Sequence, residues 1–218
     1  MRARLVLLLV AGIALAPAIA SAACPTRAGA PSFTVAVKDP PVAYRLDLDS
    51  AAVARTAGEN GMAGLKGAVP YGLTIGRYDL EVTVDVDNIR DGDRYCAQLR
   101  AAHVEIGLKQ LDVIVDRRFA AGSCERQAVL DHESTHVGAF REAMRYYVPA
   151  IERTLAAAPV SLGVQADARN AARAVFLAPI TDSLKPIFAA INARARDANA
   201  RLDSPENYAA VFARCRHW

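Results

Sequence analysis

The sequence predicts an α+β fold in which a small, largely antiparallel sheet is followed by a helical half. In the first half of the chain, apolar and polar residues alternate with the period of a half-buried strand, most clearly over residues 80–87. From Ser123 onward, apolar residues recur at helical spacing instead. No internal repeat or low-complexity linker divides the chain, so we expect residues 23–218 to form one domain.

The first 22 residues have the features of a cleaved export signal. Arg2 and Arg4 precede an apolar run over residues 5–15, and residues 20–22 have the small-x-small pattern that signal peptidase recognises. The run is shorter than the roughly 20 residues that a membrane-spanning helix needs. We therefore expect a periplasmic or secreted protein with no stable membrane insertion after cleavage. The alternatives are a retained anchor and a lipoprotein acylated at Cys24.

The charge balance disfavours one class of partner. The chain has 26 basic and 23 acidic residues, and loss of Arg2 and Arg4 with the signal leaves 24 basic residues. A mature protein so close to neutrality, with scattered charges, has no electrostatic footprint for nucleic acid or acidic membranes. We therefore expect no nucleic-acid partner. The oligomeric state is not predicted.

Four cysteines follow the signal: Cys24, Cys96, Cys124 and Cys215. An even number in an exported chain predicts two disulfides, for which three connectivities are possible. A cysteine zinc site is disfavoured because no two cysteines have the usual ligand spacing. The preferred pairing is Cys96 with Cys124, which would clamp a strand to the start of a helix, and Cys24 with Cys215, which would join the two ends.

The first half is expected to contain strands and one short helix. Strands are predicted at residues 33–37 and 44–49, followed by an Ala-rich helix that Ser50 caps. Five glycines make residues 58–72 a predicted loop. Three sequential strands then cover residues 80–87, 95–106 and 111–115, and their short connections favour antiparallel pairing.

The second half is expected to be helical. Ser123 has the residue type of a helix N-cap, and Glu125 suits the positive end of the helix dipole. The helix that follows has a broad apolar stripe and is expected to break or kink at Pro149. Further helices are predicted over residues 150–158, over residues 167–202 with interruptions at Pro179 and Pro186, and from Ser204-Pro205-Glu206 onward.

The first of these helices contains the motif His132-Glu133-x-x-His136. Residues four apart on a helix lie about one turn above each other, so the two imidazoles can bind one ion. Glu133 lies about 100° around the same turn, where its carboxylate can reach a water on that ion and accept its proton. The spacing therefore predicts one zinc ion held by His132 and His136, with Glu133 as the general base.

The motif leaves the third metal ligand open. Ala139, Phe140 and Ala143 follow the ligand face but cannot bind zinc, and Glu142 points about 100° away from it. The sequence gives no basis for choosing among the acidic residues elsewhere in the chain, which include Glu152, Asp167, Asp182 and Glu206.

Two other histidines and two tyrosines could in principle belong to the same site. His103 alternates with its neighbours on a strand, and an exposed strand histidine is the preferred interpretation. His217, near the C-terminus, is interpreted in the same way. Tyr146 and Tyr147 have the chemistry to bind an oxyanion, but their distance along the helix from His136 favours core packing.

The motif resembles that of the zincin metallopeptidases. A longer stretch, from Cys96 through Val113-Ile114-Val115 and the motif to Tyr147-x-Pro149, is similar to a bacterial group of predicted secreted zinc-dependent proteases of unknown function. The similarity covers roughly a quarter of the chain, and only the His-Glu-x-x-His core is specific. It implies a zincin-like fold, the same zinc ligands and base, and a cleft lined by the strand before the helix, where an extended peptide pairs by β-augmentation.

The chain departs from the metzincin form of the motif, because Ala139 and Glu142 stand where that form has a glycine and a third histidine. The sequence favours an exported zinc hydrolase, with a peptide or protein as its substrate. The alternatives are a non-catalytic envelope protein that binds a metal or a partner, and a zinc amidase that acts on cell-wall material. A third ligand facing both histidines would separate the first two interpretations.

Overall fold

The computed structural model describes Cys24 and residues 29–62, 70–91, 94–158, 164–166 and 169–218. The strands there are β1 (Ser32–Lys38), β2 (Ala43–Arg45), β3 (Gly72–Asp91), β4 (Arg94–Val115) and β5 (Val164–Ala166), and the helices are α1 (Ser50–Glu59), α2 (Cys124–Ala156), α3 (Arg169–Leu202) and α4 (Pro205–Phe212). The mixed α and β composition confirms the predicted class. The predicted signal at residues 1–22 and the middle of the predicted loop, residues 63–69, lie outside the described residues.

One long hairpin forms the centre of the sheet. β3 and β4 pair antiparallel from Gly72 with Val115 to Asp91 with Arg94. The predicted strands at residues 95–106 and 111–115 both belong to β4, so the prediction of separate strands is wrong. The alternation fades between them because the register shifts opposite Arg77 and Tyr78, and a bulge there exchanges the inward and outward faces.

Three short strands pair, one after another, with the edge of β4 that lies opposite β3. β5 is antiparallel to β4, whereas β1 and β2 are parallel to it. The sheet is therefore partly parallel, and the prediction of a largely antiparallel sheet holds for the hairpin but not for β1 and β2. The sequence did not predict β5. β1 and β2 run parallel to β4 because they precede it in the chain by a long connection rather than a tight turn.

Helix starts follow the predicted capping pattern, with one difference. Ser123 accepts a hydrogen bond from the Arg126 amide (3.1 Å), and Ser204 caps α4, as predicted. α1 is capped by Asp49, whose carboxylate accepts from the Ala52 amide (2.9 Å), rather than by Ser50. The Ser50 hydroxyl instead donates to Asp116 at 2.5 Å, so a tertiary contact takes the side chain that the local pattern assigned to the cap.

Three prolines lie inside helices where the sequence predicted breaks. α2 continues through Pro149 to Ala156, and α3 is continuous through Pro179 and Pro186. A proline in a helix costs about 3 kcal/mol because it removes a hydrogen bond and crowds the preceding turn. Burial of apolar side chains beyond each proline offsets this cost, as at Ile151, Leu155, Leu184 and Ile191.

α2 and α3 contact each other and pack against the sheet. The larger core cluster joins the middle of β4 to both helices, with Ile106, Met144, Ile180 and Leu184 nearly inaccessible. A second cluster joins the end of β4 to the first half of α2 through Leu111, Val113, Phe119, Val129 and Val137. The second cluster fixes the helical turns that carry the motif.

The described cysteines form two disulfides, as predicted, but with a different connectivity. Cys24 pairs with Cys96, and Cys124 pairs with Cys215. Both predicted pairs, Cys96–Cys124 and Cys24–Cys215, are therefore wrong. Cys96 lies near the start of β4 and Cys124 follows its far end, about 60 Å away along the strand. Two disulfides fit an oxidising, extracellular compartment.

One described helix meets the length and composition of a membrane span. Within α3, the segment Arg173–Leu202 has a window of mean hydropathy 1.4. The core helix of a water-soluble protein can have the same composition, and α3 packs Phe176, Ile180 and Ile191 into the larger core cluster. One face of α3 therefore has partners inside the fold, whereas other apolar side chains of the helix, such as Val175, are exposed.

Candidate metal centre

α2 brings the rings of His132 and His136 together at one point. Their Nε2 atoms lie 3.2 Å apart, which is the result expected for residues one helical turn apart. The side chains are only 9% and 6% exposed. Both imidazoles are therefore partly withdrawn from water and face each other across a narrow gap.

Asp203 supplies a third possible ligand from the short connection between α3 and α4. Its Oδ1 atom lies 3.3 Å from His132 Nε2 and 3.1 Å from His136 Nε2. Among the described residues, these three form the group of histidine, cysteine and acidic side chains that could hold a metal ion. The sequence reasoning missed Asp203.

None of the four acidic residues suggested by the sequence lies in this group. Glu152 and Glu206 are exposed, and Asp182 is paired with Lys185 at 2.6 Å. Asp167 lies outside the described residues. No local signal marks Asp203, because its position depends on how α3 returns along α2 rather than on spacing within one helix.

The three ligand atoms have the separations that a tetrahedral zinc site needs. Two atoms that each bind one zinc ion at about 2.0–2.1 Å lie about 3.3 Å apart when the angle between them is tetrahedral. The three observed separations are 3.1, 3.2 and 3.3 Å. The spacing of His132, His136 and Asp203 is therefore compatible with one metal ion, and three protein ligands would leave the fourth position of a tetrahedral site open.

Neighbouring side chains orient this ligand set. His136 Nδ1 donates to the amide oxygen of Asn199 at 2.7 Å, which leaves the Nε2 lone pair available to bind a cation. Tyr208 donates its hydroxyl proton to Asp203 Oδ1 at 2.9 Å, and its ring lies 5.3 Å from that of His132. α3 and α4 thus provide both the carboxylate and the groups that position it.

The electrostatics of the group favour a cation. Burial raises the pKa of the Asp203 carboxyl, but hydrogen bonds with His132 and His136 outweigh that effect and hold the pKa below its usual range. Burial lowers the pKa of His136, but the hydrogen bond and the charge interaction with Asp203 act in the opposite direction. The net result is a raised pKa. An ionised carboxylate therefore faces the two rings at neutral pH.

Glu133 lies beside the three ligands but outside their group. Its side chain is 5% exposed, and Oε2 accepts a hydrogen bond from the Thr74 hydroxyl at 2.7 Å. Burial raises the pKa of Glu133, while His136 and the Thr74 hydrogen bond act in the opposite direction and leave a net increase. A carboxylate whose pKa is shifted towards neutrality suits the exchange of protons with a substrate.

The start of β3 passes directly over Glu133. A Cβ atom added to Gly72 would lie 2.6 Å from Glu133 Oε1 and 2.6 Å from Val129 Cγ1. These separations are too short for any side chain, so glycine allows the backbone of β3 to approach the carboxylate. Glu133 is thus enclosed between α2 and β3.

Two cavities meet at the candidate metal centre. One, of about 620 Å³, runs between the start of β3 and the C-terminal part of α3 and includes Thr74, His136 and Asn199. The other, of about 540 Å³, extends past His132 towards α4. Pro70, Gly72, Glu133 and Tyr208 line both cavities, so the two form one cleft that passes across the candidate ligands and Glu133.

β3 forms one wall of this cleft. Within the described part of the chain β3 pairs only with β4, so its other edge has no strand beside it. The strand before the motif helix was predicted to line the cleft. Instead, residues 112–114 lie between β3 and β2 and line neither cavity. β3, rather than that strand, borders the cleft.

The remaining residues considered from the sequence lie away from the cleft. His103 is an exposed strand histidine, as predicted, with Nδ1 2.7 Å from the Thr34 hydroxyl. His217 is exposed near the C-terminus. Tyr146 is 61% exposed, and Tyr147 packs against the larger core cluster, so neither belongs to the candidate metal centre.

Comparison of the chain with known protein families, curated proteins and solved structures gives no match. The resemblance to zincins therefore remains a prediction from the motif and the residues around it. A functional conclusion has to be argued from the residues of the site and their geometry.

Proposed function

We propose that this protein is an exported zinc-dependent peptidase of zincin type. His132, His136 and Asp203 hold the ion, and Glu133 is the general base. The observation that carries the proposal is the set of three ligand atoms separated by 3.1 to 3.3 Å, with a buried carboxylate beside it. Two imidazoles and a carboxylate are a common ligand set for catalytic zinc.

The proposed roles follow from the chemistry of each group. A zinc ion bound at such a site lowers the pKa of a coordinated water and polarises a carbonyl oxygen. Glu133 accepts a proton from the attacking water and passes it to the leaving amine, which its raised pKa assists. Thr74 holds Oε2 of Glu133, which leaves Oε1 for this proton.

The cleft favours an extended polypeptide as the substrate. Its wall at residues 72–78 is a strand with one edge unpaired within the described residues, and such an edge can hydrogen-bond to a peptide backbone. The opposite wall includes the side chains of Asn192, Arg196 and Asn199 on α3.

The two alternative functions are weakened by the same features. A non-catalytic envelope protein was the preferred alternative if no third ligand faced the histidines, and Asp203 is such a ligand candidate. A zinc amidase acting on cell-wall material would share the three ligands and the base. The bordering strand edge favours a peptide backbone over the sugar portion of such a substrate.

We expect the purified mature protein to contain about one zinc ion per chain and to hydrolyse an unfolded protein such as casein. Removal of the ion with a chelator should abolish hydrolysis, and added zinc should restore it. Elemental analysis and a casein assay on the same samples test both points. A protein that takes up no zinc when zinc is supplied would contradict the proposal.

Gly72→Ala is expected to lower kcat by up to about 100-fold because the added methyl group displaces Glu133. Zinc content should remain near one per chain, since Gly72 is not among the ligand candidates. Gly138→Ala is the matched control: a Cβ there meets no atom within 4 Å, and alanine stabilises a helix relative to glycine. Equal kcat values for the two variants would show that the fit between β3 and Glu133 does not matter.

A further inference from the structure

We propose that the cavity beside His132 selects substrates with a bulky apolar side chain next to the bond that is cut, and that Val211 and Phe212 of α4 determine this selectivity. The inference rests on the proposed peptidase function. It adds a substrate class, which the candidate ligands and the base do not specify.

The cavity lies beside the candidate reacting groups and has ample room for a bulky side chain. Its volume of about 540 Å³ lies within the range of about 300–1,000 Å³ that is usual for ligand pockets. It opens at His132, Glu133 and Tyr208, beside the groups proposed to react. A side chain in this pocket would therefore belong to a residue adjoining the reacting carbonyl.

The walls of the cavity are mainly apolar. α2 contributes Val129, α4 contributes Val211 and Phe212, and the segment before β3 contributes Pro70 and the ring of Tyr71. Burial of an apolar side chain against such walls is favourable, whereas an ionised side chain would lose its hydration. The lining therefore favours leucine, methionine or an aromatic residue.

Arg118 is the basic residue in the lining, and its charge is already paired. Its Nε donates to Asp116 Oδ2 at 2.8 Å, and its Nη2 donates to the Ser50 hydroxyl at 2.6 Å. The guanidinium also lies over the Tyr71 ring, 4.9 Å from its centre. Because buried Asp116 neutralises it, Arg118 does not make the pocket selective for an acidic side chain.

The wall formed by α4 is held in place before any substrate binds. Trp218 stacks on Tyr71 with their ring centres 5.9 Å apart, and its indole NH donates to the Phe212 carbonyl at 2.9 Å. The disulfide Cys124–Cys215 ties the end of this segment to the start of α2. A preformed wall limits the entropy lost on binding, so the apolar contact can contribute to affinity.

The test uses extended fluorogenic peptides that differ at one position and the zinc-loaded protein. We expect kcat/KM to be about 10- to 100-fold higher with phenylalanine or leucine than with alanine, and lowest with aspartate. Val211→Phe narrows the pocket at the α4 wall and should reduce the ratio of kcat/KM for the phenylalanine peptide to that for the alanine peptide by at least about 10-fold. Val211→Leu, a milder change, should shift the ratio in the same direction if Val211→Phe does not fold.

Ala210→Phe is the matched control, because Ala210 is exposed on the same helix and does not line the cavity. This variant should keep the substrate preference of the unmodified protein. A preference that is the same in Val211→Phe, Val211→Leu and Ala210→Phe would overturn the assignment of the pocket.

A binding measurement separates this inference from the peptidase proposal. With Glu133→Gln loaded with zinc, calorimetric titration should give about 10-fold tighter binding of the phenylalanine peptide than of the alanine peptide, and Val211→Phe should remove the difference. Selective binding by a protein that hydrolyses none of the peptides would support the assignment of the pocket and contradict the proposed peptidase activity. Hydrolysis of all peptides at equal rates, with equal affinities, would contradict the assignment of the pocket and support the proposed peptidase activity.

Discussion

Glu133→Gln is expected to lower kcat by about 10²- to 10⁴-fold without removing zinc. Glutamine has the size of glutamate and can still accept the hydrogen bond from Thr74 through its amide oxygen. It cannot accept a proton from the attacking water, so the loss would fall on the chemical step. Steady-state hydrolysis of a casein-derived peptide, with zinc measured on the same sample, gives the comparison.

The control for this substitution is Ser134→Ala, at the next position of the helix. Ser134 is exposed, and its hydroxyl donates to the Leu130 carbonyl at 2.8 Å rather than to the candidate metal centre. We expect its kcat to match that of the unmodified protein. If Glu133→Gln retained more than about a tenth of kcat, Glu133 would not be the general base.

The stability of Glu133→Gln provides an independent check on its role. Because burial raises the pKa of Glu133, the ionised carboxylate at neutral pH is a destabilising group in the fold. Its replacement by a neutral amide should leave the free energy of unfolding equal or higher. Loss of activity without loss of stability would indicate a residue that serves function at the expense of stability.

Asp203→Ala is expected to lower the affinity for zinc by more than about 100-fold. Loss of a residue that only orients a ligand typically costs about 10- to 100-fold, and loss of a ligand should cost more. The two histidines would remain, but they alone do not complete a catalytic zinc site. Competition with a chelating indicator measures the affinity, and hydrolysis should decline in parallel.

Glu206→Ala is the matched control because it lies three residues further on, is exposed and belonged to the candidates suggested by the sequence. We expect its zinc affinity to be unchanged. Equal affinities for Asp203→Ala and Glu206→Ala would exclude Asp203 as a ligand. A large loss in Glu206→Ala alone would mean that α4 turns a different carboxylate towards the histidines.

The motif helix could be predicted because its signals are local. The cap at Ser123, the acidic first turn at Glu125 and the apolar stripe all depend on neighbours within a few residues. The approach of His132 to His136 follows from helix geometry alone. The same is true of α4, which begins at the predicted Ser204-Pro205 pair.

Asp203 could not be predicted because it reaches the site through the pairing of two helices. α3 returns antiparallel to α2, so that Glu142 meets Arg194, His136 meets Asn199 and His132 meets Asp203. Recognition of this register requires both helices to be continuous. Local sequence rules predicted helix breaks at Pro149, Pro179 and Pro186. The packing that keeps both helices continuous through these prolines cannot be read from a local pattern.

The predicted disulfide pairing was wrong for a related reason. The choice of Cys96 with Cys124 treated the strand between them as short, whereas β4 runs without interruption for 22 residues. The length of a strand depends on the partners that pair with it, and β4 has partners on both sides. Local alternation therefore located parts of β1 to β4 but neither their extent nor β5.

The Cys124–Cys215 disulfide and the candidate metal centre close nearly the same loop of the chain. The disulfide joins residues 91 positions apart, and the contact of His132 with Asp203 joins residues 71 positions apart within that segment. The covalent link already restricts the unfolded chain, so a subsequent closure removes less conformational entropy. Oxidation of the two thiols would therefore favour the approach of His132, His136 and Asp203 and strengthen the uptake of an ion by these three residues.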